Sequence, residues 1–370
     1  MEQRSGEKKK ICLIVYDLSL VRGDVRAATL VANELCAFHD VTLLSMLGEE
    51  IHPAYHIDGR IHCRLLRWQE ERLLGYGKKI LPLQQQLQAA GTDVAVLVGT
   101  FIGYIFSRYP WGGGCRCVFW DHGALRSQLD VKTLLIRYFA ARRCDAAVVL
   151  TDRNLQDYRR FFHTRRDKLR RIYNWVERTQ EHCDIEARRI ISVGRVDSEK
   201  GYDLAVEAAR HVLPDHPSWT WHIYGTGDEM EKIRSMIDQY GLGRQMVLEG
   251  TSNQISREYC RSSILVLPSY REGLPLVLLE ALNYALPMVS FNVATGPEEI
   301  IDDGQTGFLI RPYDTRAMAE KIALLMDQPA LRRAMSEKAA SYIGRFERSV
   351  IVDEWLQLIE DMIDAGKKRR

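Results

Sequence analysis

Short apolar runs alternate with amphipathic stretches along the whole chain. Residues 10–16 are rich in Ile, Leu and Val and predict a strand, and residues 25–37 have the apolar spacing of a helix. The alternation continues to residues 170–173, which predict the last strand of this part. Strands alternating with helices are typical of a parallel sheet covered on both faces. A doubly wound, Rossmann-like α/β domain is therefore predicted over residues 1–176.

The pattern then breaks and restarts. Residues 177–188 are polar and irregular, which predicts a linker. Residues 189–346 repeat the strand–helix alternation and predict a second domain of the same class. A final amphipathic helix is predicted over residues 350–363, inside a C-terminal segment, 347–370, that ends in a basic tail. A length of 370 residues fits two domains.

Charge changes this picture only locally. The net charge of +2 is small, but basic residues crowd the segment 153–171 and recur at 8–10 and 367–370. A solvated surface with charged tails is the simple interpretation. The alternative is peripheral contact with an anionic membrane, where each basic residue contributes roughly 1 kcal/mol. No recognition motif accompanies the charge, so nucleic acid is not an expected partner.

Cysteine usage and hydropathy bear on location. The eight cysteines are scattered, without a CxxC pair or a cluster of metal-ligand types, so we expect free thiols, a reducing cytoplasm and no metal. The polar N-terminus does not resemble a signal peptide. The longest apolar stretch, 94–106, is too short to span a membrane and predicts a strand followed by a helix. We expect a cytoplasmic protein, with the inner face of the membrane as the alternative.

One stretch, 264–301, predicts a strand, a loop, a helix and a second strand. Glu272 lies in the loop and Glu280 in the helix. Ligands of open parallel sheets bind where loops leave the carboxyl ends of strands. Two carboxylates suit a polyhydroxylated ligand, since a hydrogen bond to a charged group contributes about 1.5–3 kcal/mol. Solvated surface residues are the alternative, although Glu280 has apolar neighbours in sequence and would need a partner.

A second loop follows the predicted strand 189–193. It contains Gly194, Arg195, Lys200 and Gly201. Arginine offers a planar fork of donors and lysine a compact charge, so the two cations could clamp a diphosphate. Ordinary surface charge is the alternative interpretation.

Together these residues resemble the donor-site signature of the family 4 (group 1) retaining glycosyltransferases. The resemblance implies the GT-B fold, in which two Rossmann-like domains face a cleft and a C-terminal helix crosses back to the first domain. It extends over nearly all of the chain and is strongest from residue 189 to 310. The matching strings are the GR-x-x-x-x-KG segment 194–201, Glu272-Gly273-Leu274-Pro275, Glu280-Ala281, Gly296-Pro297-Glu298-Glu299-Ile300-Ile301 and the run to Leu309.

The resemblance also implies roles for individual residues. Arg195 and Lys200 would neutralise the leaving diphosphate, Glu272 would hold hydroxyls of the donor sugar, and Glu280 would hold the ribose. His122 follows a predicted strand and would lie beside the sugar, although a single histidine is more often structural. The catalytic set is therefore His122, Arg195, Lys200 and Glu272. Further donor contacts are expected from Gly23, Gly194, Gly225, Gly250, Gly273, Leu274, Thr295 and Gly296.

Gly23 is the least specific of these residues. It is the single glycine of a loop where the family often has a pair, and a plain turn is the alternative.

The expected reaction transfers a sugar, a hexose or N-acetylhexosamine, from a UDP-sugar to a hydroxyl of a glycan or lipid-linked acceptor, in polysaccharide or glycoconjugate biosynthesis. No cofactor is expected, since no Asp-x-Asp motif suggests a metal. Two other classes remain open: a non-catalytic nucleotide-binding scaffold, and a GT-B phosphorylase or epimerase.

Overall fold

The computed structural model describes residues 7–69, 76–108, 111, 114–127 and 130–367. The chain forms two compact units. Unit 1 comprises Met1–Asn174 together with Ser349–Arg370, and unit 2 comprises Trp175–Arg348. The start of the polar N-terminus, 1–6, and the end of the predicted basic tail, 368–370, lie outside the described residues.

Unit 1 is built on a seven-stranded parallel sheet. Its central strands are apolar on both faces, as the fully buried segment Val94–Val98 illustrates, because helices cover both sides of the sheet. The strands are β1 (Lys10–Val15), β2 (Asp40–Ser45), β3 (His62–Leu65), β4 (Val94–Val98), β5 (Arg116–Asp121), β6 (Ala146–Val149) and β7 (Leu169–Arg171). Their spatial order is β3-β2-β1-β4-β5-β6-β7.

The helices of unit 1 differ from the predictions at two places. α4 was not predicted, and Pro82 lies inside α2 rather than in its first turn, because that helix begins several residues earlier. The helices are α1 (Gly23–Leu35), α2 (Gly77–Ala89), α3 (Thr100–Ser107), α4 (Val131–Arg143) and α5 (Asp152–Phe162).

Unit 2 repeats the architecture with a six-stranded parallel sheet. The strands are β8 (Arg189–Val193), β9 (Thr220–Tyr224), β10 (Met246–Gly250), β11 (Ile264–Leu267), β12 (Met288–Phe291) and β13 (Gly307–Ile310). Their spatial order is β10-β9-β8-β11-β12-β13. The helices are α6 (Tyr202–Val212), α7 (Met230–Gln239), α8 (Ile255–Cys260), α9 (Leu276–Asn283), α10 (Pro297–Ile300), α11 (Thr315–Asp327) and α12 (Pro329–Tyr342).

The last helix, α13 (Arg348–Lys367), returns the chain to unit 1. The indole of Trp355 packs edge-on against Trp120 of β5, with ring centroids 4.6 Å apart, and both side chains are buried. Arg116 donates a hydrogen bond to the carbonyl of Ala365 at 2.8 Å. The predicted return of the C-terminal helix to the first domain is confirmed.

The predicted linker is packed onto unit 2. The backbone amide of Cys183 donates to the carbonyl of Tyr284 at 2.8 Å, and the side chain of Asn283 donates to the carbonyl of Glu177 at 2.7 Å. Trp175 and Val176 are buried. These bonds tie the segment to α9 and to the residue that follows it.

Two expectations about the whole chain can be compared with the described residues. Among these residues, no helix is long and apolar enough to cross a bilayer. All eight cysteines carry free thiols, and five of the eight are buried.

Candidate active site

The sheet of unit 2 has a switch point between β8 and β11. The chain turns to β9 and β10 on one side of this pair, and to β12 and β13 on the other. The loops that follow β8 and β11 lie side by side there, since the amide of Tyr270 donates to the carbonyl of Glu199 at 2.9 Å. In open α/β sheets a ligand binds in the crevice at such a point.

Lys200 and Glu272 meet at this switch point. The ammonium of Lys200 lies 2.7 Å from Oε1 of Glu272, and the Glu272 side chain is only 7% exposed. The hydroxyl of Ser269 donates to the same oxygen at 2.7 Å. The cation predicted for phosphate and the carboxylate predicted for sugar hydroxyls thus form one partly buried pair, which offsets the cost of burying the carboxylate. An ammonium has three donors, so Lys200 can bind phosphate and keep this bond.

Arg195 occupies the exposed side of the loop after β8. Its guanidinium is 57% exposed and lies 2.8 Å from the carboxylate of Asp197. Exposed ion pairs contribute only about 0.2–1 kcal/mol, so this pairing leaves the guanidinium able to bind an incoming phosphate.

Two glycines allow the loops around the switch point to touch backbone to backbone. Gly201 has φ +65°, and a Cβ there would lie 2.1 Å from the carbonyl oxygen of Pro268. Gly225 has φ +142°, and a Cβ would lie 1.8 Å from the carbonyl oxygen of Gly194. The amide of Gly225 also donates to the carbonyl of Gly250 at 2.7 Å. Gly194, Gly225 and Gly250 therefore adjoin at the ends of β8, β9 and β10.

The turn before α10 fixes the Glu272 loop from its other side. The hydroxyl of Thr295 donates to the backbone carbonyl of Glu272 at 2.8 Å. A Cβ on Gly296 would lie 2.6 Å from the carbonyl oxygen of Gly273. Leu274 is buried. The predicted set Gly273, Leu274, Thr295 and Gly296 is thus brought together with Glu272.

Glu280 lies on α9, the helix that follows the Glu272 loop. Its Oε2 accepts a hydrogen bond from the hydroxyl of Tyr259 at 2.6 Å. The partner that the apolar neighbourhood required is therefore a tyrosine of α8. Sequence reasoning missed Tyr259, because one buried aromatic residue in a short helix looks like ordinary core.

His122 lies in unit 1, directly after β5. Its ring packs on Trp120 with centroids 4.4 Å apart, and Nε2 is enclosed with no hydrogen-bond partner among the described residues. Burial lowers the pKa of His122 to about 4, although the charges of Asp24 and Asp121 act in the opposite direction. The imidazole is therefore neutral near pH 7.

A buried network holds the turn that carries His122. The Asp121 carboxylate is fully buried and forms an ion pair with Arg137 at 3.1 Å. It also accepts hydrogen bonds from the hydroxyls of Tyr158 at 2.5 Å and Thr100 at 2.9 Å, and from the amide of Gly123 at 3.1 Å. No sequence motif indicated this network, since its members come from α3, α4, α5 and the end of β5.

Gly23 also lies in unit 1, as the first residue of α1. It is therefore not among the residues assembled at the switch point of unit 2. Arg22 and Asp24, its neighbours in sequence, form an ion pair at 2.8 Å. Their charges both act on His122.

Among the described residues, no group of three or more His, Cys, Asp or Glu side chains is arranged to hold a metal ion. The site in unit 2 therefore offers one partly buried ion pair, one exposed cation, closely packed loop backbone and a tyrosine-bound carboxylate. This combination can bind an anion next to a hydroxylated ligand.

Comparison with protein families identifies the class. The model described as "Glycosyl transferases group 1" matches residues 175–342, and "Glycosyltransferase Family 4" matches residues 21–180. Both units are thus matched, and the chain belongs to the group 1, family 4 glycosyltransferases.

Two individual relatives illustrate how the chain matches known proteins. The chain is 36% identical over 377 residues to an exopolysaccharide phosphotransferase of Streptomyces coelicolor, a match that spans 92% of this chain but only 39% of that protein. It is 24% identical over 369 residues, 96% of this chain and 99% of the relative, to a GalNAc-GalNAc-diNAcBac-PP-undecaprenol α-1,4-N-acetyl-D-galactosaminyltransferase of Campylobacter jejuni.

A solved structure supports the GT-B fold. S. aureus TarM in complex with fondaparinux, α-GlcNAc-glycerol and UDP superposes with a TM-score of 0.81, covering 95% of this chain and 99% of TarM. The identity is 16%, so the similarity concerns the fold alone. The predicted fold class, with two Rossmann-like parallel sheets, is confirmed.

Proposed function

We propose that the protein is a retaining glycosyltransferase that moves a sugar from a UDP-sugar to a hydroxyl of a glycan or lipid-linked acceptor. The observation that carries this proposal is the Lys200–Glu272 pair at the switch point of unit 2. It joins a cation for phosphate to a carboxylate for sugar hydroxyls where open sheets bind ligands. Family membership supports the reaction class, and polysaccharide or glycoconjugate biosynthesis is the proposed setting.

One structural neighbour and one sequence relative motivate the proposed substrates. The TarM structure contains UDP together with glycans. The name of the C. jejuni relative describes transfer of an N-acetylhexosamine to an undecaprenol-linked glycan. We therefore favour UDP as the nucleotide and a hexose or N-acetylhexosamine as the sugar. The phosphotransferase named for the Streptomyces relative is not carried over, because the match covers 39% of that protein.

The chemistry follows from the developing charge. The bond from the anomeric carbon to the diphosphate breaks, the bond to the acceptor oxygen forms on the same face, and the acceptor proton passes to a phosphate oxygen. Lys200 and Arg195 neutralise the negative charge that grows on the diphosphate, an effect that is usually the largest catalytic term. Glu272 holds hydroxyls of the sugar, and Glu280 holds the ribose.

The direct test is sugar transfer by Lys200→Ala. We expect turnover to fall by about 10²–10³-fold, the loss typical of one electrostatic stabiliser, with an unchanged circular dichroism spectrum. Lys232→Ala is the matched control, since Lys232 is an exposed lysine of unit 2 paired with Glu229, and it should keep wild-type turnover. Undiminished turnover in Lys200→Ala would remove the lysine from the mechanism. UDP binding without turnover on any acceptor would favour a non-catalytic scaffold.

A companion assay concerns metal. If Lys200 and Arg195 carry the diphosphate charge, wild-type turnover should persist in excess chelator. Abolished turnover that divalent cation restores would show that a metal is needed.

Unit 1 exposes several apolar side chains on α4 and α5. Val131 and Leu135 on α4 are 72% and 49% exposed, and Phe161 on α5 is 50% exposed. Arg160 lies over the Phe161 ring at 5.9 Å, and Lys132, Arg142 and Arg143 of α4 are exposed basic residues. Exposed apolar side chains flanked by cations complement an anionic lipid surface. We propose that this α4–α5 surface brings the enzyme to a membrane-linked acceptor.

Vesicle co-sedimentation tests the α4–α5 surface. Wild-type protein should bind phosphatidylglycerol vesicles at low salt and bind phosphatidylcholine vesicles much less. The double variant Leu135→Ser/Phe161→Ser should lose this binding, whereas Val350→Ser, at an exposed apolar position of α13, should retain it. Equal binding by all three proteins would refute the assignment of this surface.

A further inference from the structure

We propose that Tyr259 is a positioning residue that orients Glu280 and thereby makes the donor site select ribose over 2′-deoxyribose. The inference rests on the proposed function, in which Glu280 accepts hydrogen bonds from the ribose of the nucleotide. It concerns a residue that none of the sequence motifs includes.

Tyr259 connects α8 to α9 through two contacts. The Tyr259 hydroxyl donates to Oε2 of Glu280 at 2.6 Å. The Tyr259 ring stacks on Tyr284, with centroids 5.1 Å apart and planes 20° from parallel. Because Tyr284 is the C-cap residue of α9, the helix that carries Glu280, the same tyrosine contacts both the functional side chain and the end of its helix.

The surroundings hold the Tyr259 ring in place. Its side chain is 1% exposed, so the hydroxyl has little freedom to turn away. A hydrogen bond of a tyrosine to a carboxylate is charge-assisted and short, which makes it one of the stronger contacts available here. Tyr259 therefore fixes the Glu280 side chain before any nucleotide binds.

Orientation matters for a ligand with two adjacent hydroxyls. A carboxylate accepts about four hydrogen bonds, so the bond from Tyr259 is compatible with further bonds from the 2′- and 3′-hydroxyls. A glutamate that is already ordered loses less conformational entropy on binding. A site that places an acceptor for one hydroxyl also rejects the analogue that lacks it, because the acceptor is left unpaired.

The experiment compares UDP with 2′-deoxy-UDP by isothermal titration calorimetry on the full chain. Wild type should bind UDP about tenfold more tightly than the deoxy analogue, the ratio that corresponds to one such bond. Tyr259→Phe keeps the ring and its packing but lacks the hydroxyl. We expect UDP binding to weaken about tenfold and the ratio between the two nucleotides to fall towards one.

Tyr284→Phe is the matched control. Its hydroxyl is removed from the same aromatic pair, while the bond between Tyr259 and Glu280 is kept, so the ratio should stay at the wild-type value. A general loss of packing would weaken both nucleotides alike and leave their ratio unchanged, which would overturn the positioning role.

The outcomes distinguish failure of the inference about Tyr259 from failure of the proposed function. If wild type discriminates against the deoxy analogue and Tyr259→Phe does so equally, the inference fails and the proposed function stands. If wild type binds both nucleotides equally, the ribose is not read here and the inference fails as well. If no nucleotide binds to wild type, the proposed function itself fails, and the role of Tyr259 fails with it.

Discussion

His122 shows how burial sets the chemistry of a single side chain. Its ring lies against Trp120, and its Nε2 is enclosed. The charged form is disfavoured by desolvation, so the pKa of His122 falls from 6.5 to about 4. A neutral imidazole at physiological pH can donate or accept a hydrogen bond, but it cannot supply a full positive charge to a phosphate. That task falls to Lys200 and Arg195 in the proposed mechanism.

The lowered pKa of His122 predicts a pH dependence of stability. The unfolded chain binds a proton at this histidine below about pH 6.5, whereas the folded chain binds it only near pH 4, so stability falls between these values. From pH 7.5 to 4.5 we expect wild type to lose about 2–3 kcal/mol more free energy of unfolding than His122→Gln. Urea denaturation at both pH values measures this difference. Identical losses in the two proteins would contradict the assignment.

Lys200 and Tyr259 illustrate which residues of the site the sequence could predict and which it could not. Lys200, Glu272 and Glu280 were predicted as site residues because motif spacing marks them. Their hydrogen bonds were not predictable, because Ser269 and Tyr259 are common residue types that match no motif. A bond such as Tyr259–Glu280 depends on where two helices pack, which spacing along the chain does not reveal.

At the scale of elements, α4 is the helix that was not predicted from the sequence pattern. Its buried positions include Arg137 and Ala140, whereas Val131 and Leu135 are exposed. Two large apolar residues are thus exposed and an arginine is buried, so hydrophobic periodicity does not identify the buried face. The reason is the Asp121 network, which requires a cation inside unit 1. The other central elements were predictable, because strands such as β4 are apolar throughout and their helices bury apolar faces.

The network predicts a stability effect at Arg137. Arg137→Met would leave the Asp121 carboxylate buried without its ion-pair partner, which typically costs about 3–5 kcal/mol. We expect a large drop in the urea midpoint of unit 1, and partial recovery in the double variant Asp121→Asn/Arg137→Met. Arg165→Met is the control, because Arg165 is 74% exposed in its pair with Asp167. A midpoint equal to wild type in Arg137→Met would argue against the network.

At the scale of the whole molecule, the two compact units are not two consecutive halves of the sequence. Unit 1 is completed by α13, which follows unit 2 in sequence. The resemblance predicted this return of the chain. The pairing of Trp120 with Trp355 was beyond prediction, since the two residues lie far apart in the sequence and each is an ordinary apolar position in its own element.

The completed unit predicts an effect of Trp355→Ala. Truncating a buried aromatic side chain typically costs about 3–5 kcal/mol, so the thermal transition of unit 1 should move down by several degrees. UDP should raise the transition of unit 2 by mass action, which identifies it in calorimetry. We expect Trp355→Ala to leave that UDP-sensitive transition unchanged, and Val350→Ala to change neither. A shift of the UDP-sensitive transition alone would place α13 with unit 2.

The central claim is that Lys200 binds the diphosphate of a uridine nucleotide at the switch point of unit 2. The most direct measurement is calorimetric affinity for UDP and UMP on wild type and Lys200→Met. Because a charge-assisted contact contributes about 1.5–3 kcal/mol, wild type should prefer UDP by about 10–100-fold, and the variant should lose most of this preference while still binding UMP. An unchanged preference in Lys200→Met, or no binding of either nucleotide to wild type, would contradict the account.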